Sequence, residues 1–153
     1  MSAEDSGGGF IPLSFGDYDE AINAQDRRIP SGQYDIQVAK WEFVESNQKG
    51  TPGIYVELRV INAEDPQWNN WPLHHRAWYG GSNWGVKNLV LGIGGPAVEG
   101  ETLNPTEVRE GPGNCDILDS FVGEEARVIV DEEEYQGQKQ TRVKRFVLRK
   151  GGF

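Results

Sequence analysis

Apolar and polar residues alternate with a period of two in five separate segments, and a single helical pattern falls between the third and fourth of them. The alternation also slips phase inside the first segment. Together these features predict a mainly β domain, a five-stranded OB-like barrel with one short helix between strands 3 and 4. In such a barrel the bent first strand takes part in both halves of the closure, and the helix plugs one end. A split α+β sheet and a β-sandwich with one helix fit the same order of elements.

The chain has 153 residues, enough for one core with an appended arm. Residues 1–30, with GGGFIPLSFGDY and scattered acids, lack sustained periodicity and read as a flexible or irregular acidic N-terminal arm, with at most a helical turn over 19–25. The domain proper covers 31–150. Its first strand, 32–44, alternates through Tyr34, Ile36 and Val38. It then shifts phase near Ala39-Lys40, so that Trp41 and Phe43 supply the apolar positions, as a bulge would produce. A turn at NQKGTPG leads to the second strand, 54–61, with Ile54, Val56, Leu58 and Val60 inward and Tyr55, Glu57 and Arg59 outward. The third strand is 73–79.

Ser82 or Asn83 then suits a helix cap, Val86, Leu89/Val90 and Ile93 recur at helical spacing, and Gly94-Gly95-Pro96 stops the helix. Residues 97–120 are acidic and rich in Pro and Gly, which predicts a long connection with a turn of helix over 116–121. A fourth strand at 123–131, a hairpin loop over 132–138 and a fifth strand from 141 complete the domain.

The net charge of -9 argues at first sight against a polyanionic partner, but the charge is zoned. Residues 92–138 carry twelve acids and two bases, whereas 139–153 carry no acid and six bases, Lys139, Arg142, Lys144, Arg145, Arg149 and Lys150. A basic face on an acidic protein is therefore feasible. No apolar run is long enough to span a bilayer and no secretory signal is visible, so no membrane partner is expected. One cysteine, Cys115, cannot form an internal disulfide and is too few for a thiolate zinc site. A cytoplasmic, reducing setting follows as the expectation.

Catalytic signals are weak. His74 and His75 are adjacent on a strand and point to opposite faces, so they cannot share a metal ion. The run Asp131-Glu-Glu-Glu134 lacks the alternating ligands and central glycine of a calcium loop. Gly92-Ile-Gly-Gly-Pro follows a helix and lacks the Lys-Ser/Thr of a phosphate loop. No nucleophile-base constellation emerges. The expectation is a protein that is not an enzyme and needs no cofactor or metal.

Aromatic residues interleaved with bases carry the stronger signal. His74, Arg76 and Trp78 share one face of the third strand, and Tyr55 and Arg59 share the outer face of the second. Flat rings beside cations can stack bases while phosphates meet the cations. Trp41, Lys49 in the first hairpin, Tyr135 and Lys139 in the last hairpin, and Arg142 and Lys144 on the fifth strand complete the candidate nucleic-acid-binding set. Core packing is the bland alternative for any single ring, Trp78, Trp84 and Trp71 included.

The stretches PSGQYDIQVAKWEFVESNQKGTPGIYVELRVI, SNWGVKNLVLGIG and FVGEEARVIVDEEEYQGQKQTRVKRFV cover most of residues 30–148. In that succession the chain resembles a family of phage-encoded proteins of replication and recombination modules that are taken to bind single-stranded DNA. The resemblance implies an OB-like fold, sequence-tolerant binding to displaced or recombining single strands in an infected host cell, and no catalytic residues. One departure is the basic C-terminal run VKRFVLRKGGF, with the acidic segment EDSGGGFIPLSFGDYDEA at the N-terminus. An acidic segment, this arm or 97–120, is then the expected contact for phage or host replication and recombination proteins, and oligomerisation is compatible with the reading. A β-rich carbohydrate- or protein-interaction module, such as a virion component, is the rival expectation, because exposed tryptophans serve sugars as well as bases.

Overall fold

The structure, a computed structural model, describes residues 28–148. Residues 1–27, 149–153 and the side chain of Tyr135 lie outside the described residues, and with them the expected arm, its helical turn, Arg149 and Lys150. Five strands, β1 (Gly32–Glu45), β2 (Pro52–Ile61), β3 (Pro72–Trp78), β4 (Glu125–Tyr135) and β5 (Gln138–Phe146), form one antiparallel sheet in the order β3-β2-β1-β4-β5. Helix α1 (Trp84–Gly94) follows β3, and two short helices, α2 (Pro105–Glu110) and α3 (Asp116–Phe121), stand in the connection to β4. The protein is mainly β, as the alternation predicts.

β1 is the strand on which the rest is hung. Residues 32–37 pair with β4, and residues 35–45 pair with β2. The ladder to β2 shifts register between Val38 and Lys40, leaving Ala39 as the extra residue. Ile36 and Val38 face the core before the bulge, and Trp41, opposite Val56, faces it afterwards. From the other strands Ile54, Val56, Leu58 and Val60, Leu73 and Ala77, Val128 and Val130, and Val143 and Phe146 complete the inner layer.

The β4–β5 hairpin differs from the expected loop over 132–138. β4 runs on to Tyr135, and only Gln136 and Gly137 turn the chain, both with left-handed backbones (φ 52 and 80). Such a two-residue turn matches the twist of the flanking strands. The acids of β4 then lie opposite the bases of β5, Asp131 against Arg142 and Glu134 against Lys139. Opposite charges facing across the ladder suit a ribbon that is polar on both faces. The ion pair that forms is Arg142–Glu133, and Lys139 makes none among the described residues.

β3 and β5 are the two edges of the sheet and run in the same direction. They approach each other without a shared hydrogen-bond ladder among the described residues. At one end the His75 ring meets Phe146 edge-on, with centroids 5.7 Å apart. At the other end Ile29 is buried, and its carbonyl accepts a hydrogen bond from the Thr141 hydroxyl at 3.1 Å. Helix α1 supplies the polar bonds that a neighbouring strand would otherwise make. The buried Asn88 donates from Nδ2 to the Phe146 carbonyl (3.0 Å) and accepts from the Phe146 N–H at Oδ1 (2.8 Å). Gly92, one turn further on, is where the helix and β5 touch: a Cβ there would collide with the side chain of Phe146.

Asn83 stands at the N-cap of α1, one of the two expected positions. It does not cap the helix with its side chain; it adopts a left-handed backbone (φ 59), and its Oδ1 accepts from the Gly80 N–H at 2.8 Å instead. The acidic connection packs on β1. The Trp41 indole N–H and the Gly113 N–H both donate to Asp119 Oδ1 at 3.0 Å. Arg109 lies 4.9 Å over the Phe43 ring and pairs with Glu45 at 3.2 Å.

Asn88→Ala strips two buried backbone groups of their partners, so urea unfolding should show a loss of about 2–4 kcal/mol, at about 1–3 kcal/mol per unsatisfied group. The neighbouring Lys87→Ala should change stability by less than about 0.5 kcal/mol, as for an exposed surface site.

Candidate nucleic-acid interface

The outer face of β2 and β3 follows from the alternation that buries the other side. Register places Tyr55 directly opposite Arg76, Glu57 opposite His74, and Gly53 opposite Trp78. The Tyr55 and His74 rings are nearly parallel, 5.8 Å apart with 14° between planes, and the Tyr55 hydroxyl shares a hydrogen bond with His74 Nδ1. The Arg76 guanidinium lies 5.1 Å from the centroid of the same Tyr55 ring. Tyr55 thus serves as the post that holds Arg76, since a cation over an aromatic face is attracted to it.

Trp78 packs its six-membered ring against Gly53 of β2. A Cβ on Gly53 would stand 2.5 Å from Trp78 Cε3, so only glycine lets the indole settle there. The indole is 37% exposed and so retains open surface.

The β1–β2 hairpin closes one side of this surface. The Ser46 hydroxyl accepts from the N–H groups of Thr51 (3.0 Å) and Lys49 (3.4 Å), and its carbonyl accepts from the Gly50 N–H at 3.0 Å. A turn held this way presents Asn47, Gln48 and Lys49 outward. With Val44, Glu45, Ser46, Arg76 and Trp78 these residues line a cleft of about 520 Å³, within the range of about 300–1,000 Å³ of small-ligand sites.

The ion pairs separate the candidate cations into two groups. Arg59 is tied to Glu57 at 2.9 Å and Arg142 to Glu133 at 2.9 Å. Lys49, Arg76, Lys139 and Lys144 have no carboxylate partner among the described residues. Of these, Lys49 and Arg76 meet in the cleft beside Trp78, while Lys139 and Lys144 lie exposed on β5. Lys144 falls at the register shift of the β4–β5 ladder.

One predicted site residue is misplaced. Trp41 is 2% exposed and belongs to the core, because the bulge at Ala39 turns it inward and its N–H is spent on Asp119. Those bonds from Gly113 and Trp41 hold the Asp119 carboxyl below its ordinary range. Trp84, absent from the predicted set, is the most exposed large apolar residue among the described residues at 55%. A signal for it existed: it stands two residues before Val86, about 200° around the helix from the buried stripe. Trp68, by contrast, was silent in the sequence; it is buried and packs edge-to-face on Trp71 with centroids 5.1 Å apart.

Among the described residues no three His, Cys, Asp or Glu side chains are grouped to hold a metal ion, and no helix is long and apolar enough to cross a membrane. Comparison with known proteins returns no matching family model and no similar curated sequence.

His75, between β3 and β5, carries a pH prediction. Burial, then the nearby positive charge of Arg142, lowers its pKa from 6.5 to about 4. The unfolded chain therefore takes up a proton that the folded one refuses. The stability from the neutral imidazole is full above pH 6.5 and is lost as pH falls through 4. Unfolding free energies measured across that window should drop by an amount on the order of 3 kcal/mol in all, at ~1.4 kcal/mol for each tenfold difference in proton affinity. In His75→Phe that slope should flatten.

Proposed function

We propose that the protein binds single-stranded DNA with little demand on sequence, and that it does so on the outer face of β2 and β3. The observation that carries this reading is the meeting of Lys49 and Arg76, both without carboxylate partners among the described residues, with the partly exposed Trp78 in one cleft. A base stacks on the open surface of the indole, and the flanking phosphates meet the two cations and release their counterions. Lys139 and Lys144 extend the cationic path onto β5, whereas Arg59 and Arg142, already neutralised, contribute less.

On this reading the sheet is an OB-like barrel, with the seam between β3 and β5 closed by Asn88, His75, Phe146 and Ile29 in place of a strand ladder. In OB barrels the hairpin after the first strand and the face of the second and third grip single strands. The sequence resemblance supplies the setting, phage DNA replication or recombination in the cytoplasm of an infected cell. No step of bond making or breaking is assigned to the protein. A second reading, a carbohydrate- or protein-interaction module, draws on the exposure of Trp78 and Trp84 in a chain of net charge -9.

The test is intrinsic tryptophan fluorescence during titration with an unlabelled oligo(dT), at about 0.1 M and again at about 0.5 M salt. Binding should quench saturably and weaken steeply with salt. Lys49→Ala with Arg76→Ala should reduce the slope of log K against log salt by roughly 0.7 for each phosphate that is no longer neutralised. Arg142→Ala should change it little. A folded protein that binds no oligonucleotide at about 0.1 M salt overturns the reading and favours the interaction module, whose affinity for a sugar would barely respond to salt.

A further inference from the structure

We infer that the cleft beside Trp78 also reads one base, and that it prefers a purine, adenine above all. The inference rests on the single-strand reading above and deepens it from phosphate binding to base recognition.

Three features of the cleft support it. Trp78 packs the Cε3 and Cζ3 atoms of its ring against Gly53 and stays partly exposed, so the surface left for stacking suits one base rather than a run of them. A purine covers more of an indole than a pyrimidine does, and stacking grows with the overlap. Across from the ring stand Asn47 and Gln48, whose side-chain amides have no hydrogen-bond partner among the described residues. An amide carries a donor and an acceptor side by side, the pair that adenine N7 and N6–H complete in one bidentate contact. The backbone of the turn that carries these amides is braced by the Ser46 hydroxyl, so on binding only the side chains have to be ordered. Lys49 and Arg76 remain for the flanking phosphates, which keeps the rest of the strand free of sequence demand.

The test uses the full chain and a set of oligo(dT) strands that differ only at one central position, occupied by dA, dG, dC or dT. The dT background avoids the self-stacking of longer purine runs. With dA the strand should bind about three- to tenfold more tightly than the all-dT strand, with dG between them. In Asn47→Ala/Gln48→Ala the four affinities should converge, with the steep salt dependence of binding retained. Binding of all four with equal strength, or a purine preference that survives the double substitution, overturns the inference and leaves single-strand binding standing. Failure of every strand to bind overturns the underlying reading as well.

Discussion

The pair of hydrogen bonds between the Asn88 side chain and the backbone of Phe146 holds the fold's two halves together. Edge strands present unpaired N–H and C=O groups, and β5 would do so at its far end where it approaches β3. A carboxamide mimics the edge of a peptide group, so a helix can finish a sheet at one point without being a strand. The arrangement demands close approach, which Gly92 provides, and a buried polar side chain, which only full satisfaction makes tolerable. β1 joins one half of the sheet to the other, and α1 joins the sheet's free ends.

That contact between α1 and β5 positions the candidate site at a distance. β3 follows β2 across a polar connection and passes directly into the Gly80-Gly81 turn and α1. Anchoring α1 on β5 therefore fixes the far end of β3, where Arg76 and Trp78 stand. On the near side, the Ser46 turn fixes Lys49. Two separate restraints meet at the cleft, one made by Asn88 and Phe146 outside it and one by Ser46 in its lining.

Strand order and faces were legible because each strand buries one side against a single core, which forces alternation. The phase slip near Ala39-Lys40 translated into the observed register shift, and the outward trio His74, Arg76 and Trp78 emerged as expected. What alternation could not decide was which cations were already spent. Arg59 and Arg142 look like phosphate ligands in sequence, yet each is held by a carboxylate that the folded sheet brings beside it. Trp41 shows the same limit from the other side, because the bulge that the sequence revealed is also what buried it. Asn88 was illegible for a general reason: a polar residue in an amphipathic helix reads as solvent-facing, and only the docked edge strand shows it to be internal.

The gathering of two unpaired cations, Lys49 and Arg76, in one small cleft on a chain of net charge -9 has a kinetic side. A polyanion far from the protein feels the whole molecule and is repelled, and only within about one Debye length does the cleft dominate. That length is roughly 30 Å at 0.01 M salt and roughly 10 Å at 0.1 M. Dilute buffer thus extends the repulsive zone well beyond the cleft, while moderate salt shrinks it to the cleft's own scale. For a polyanionic ligand of the kind proposed, the encounter rate would then pass through a maximum at intermediate ionic strength, with arrivals at other faces of the protein turned away before contact.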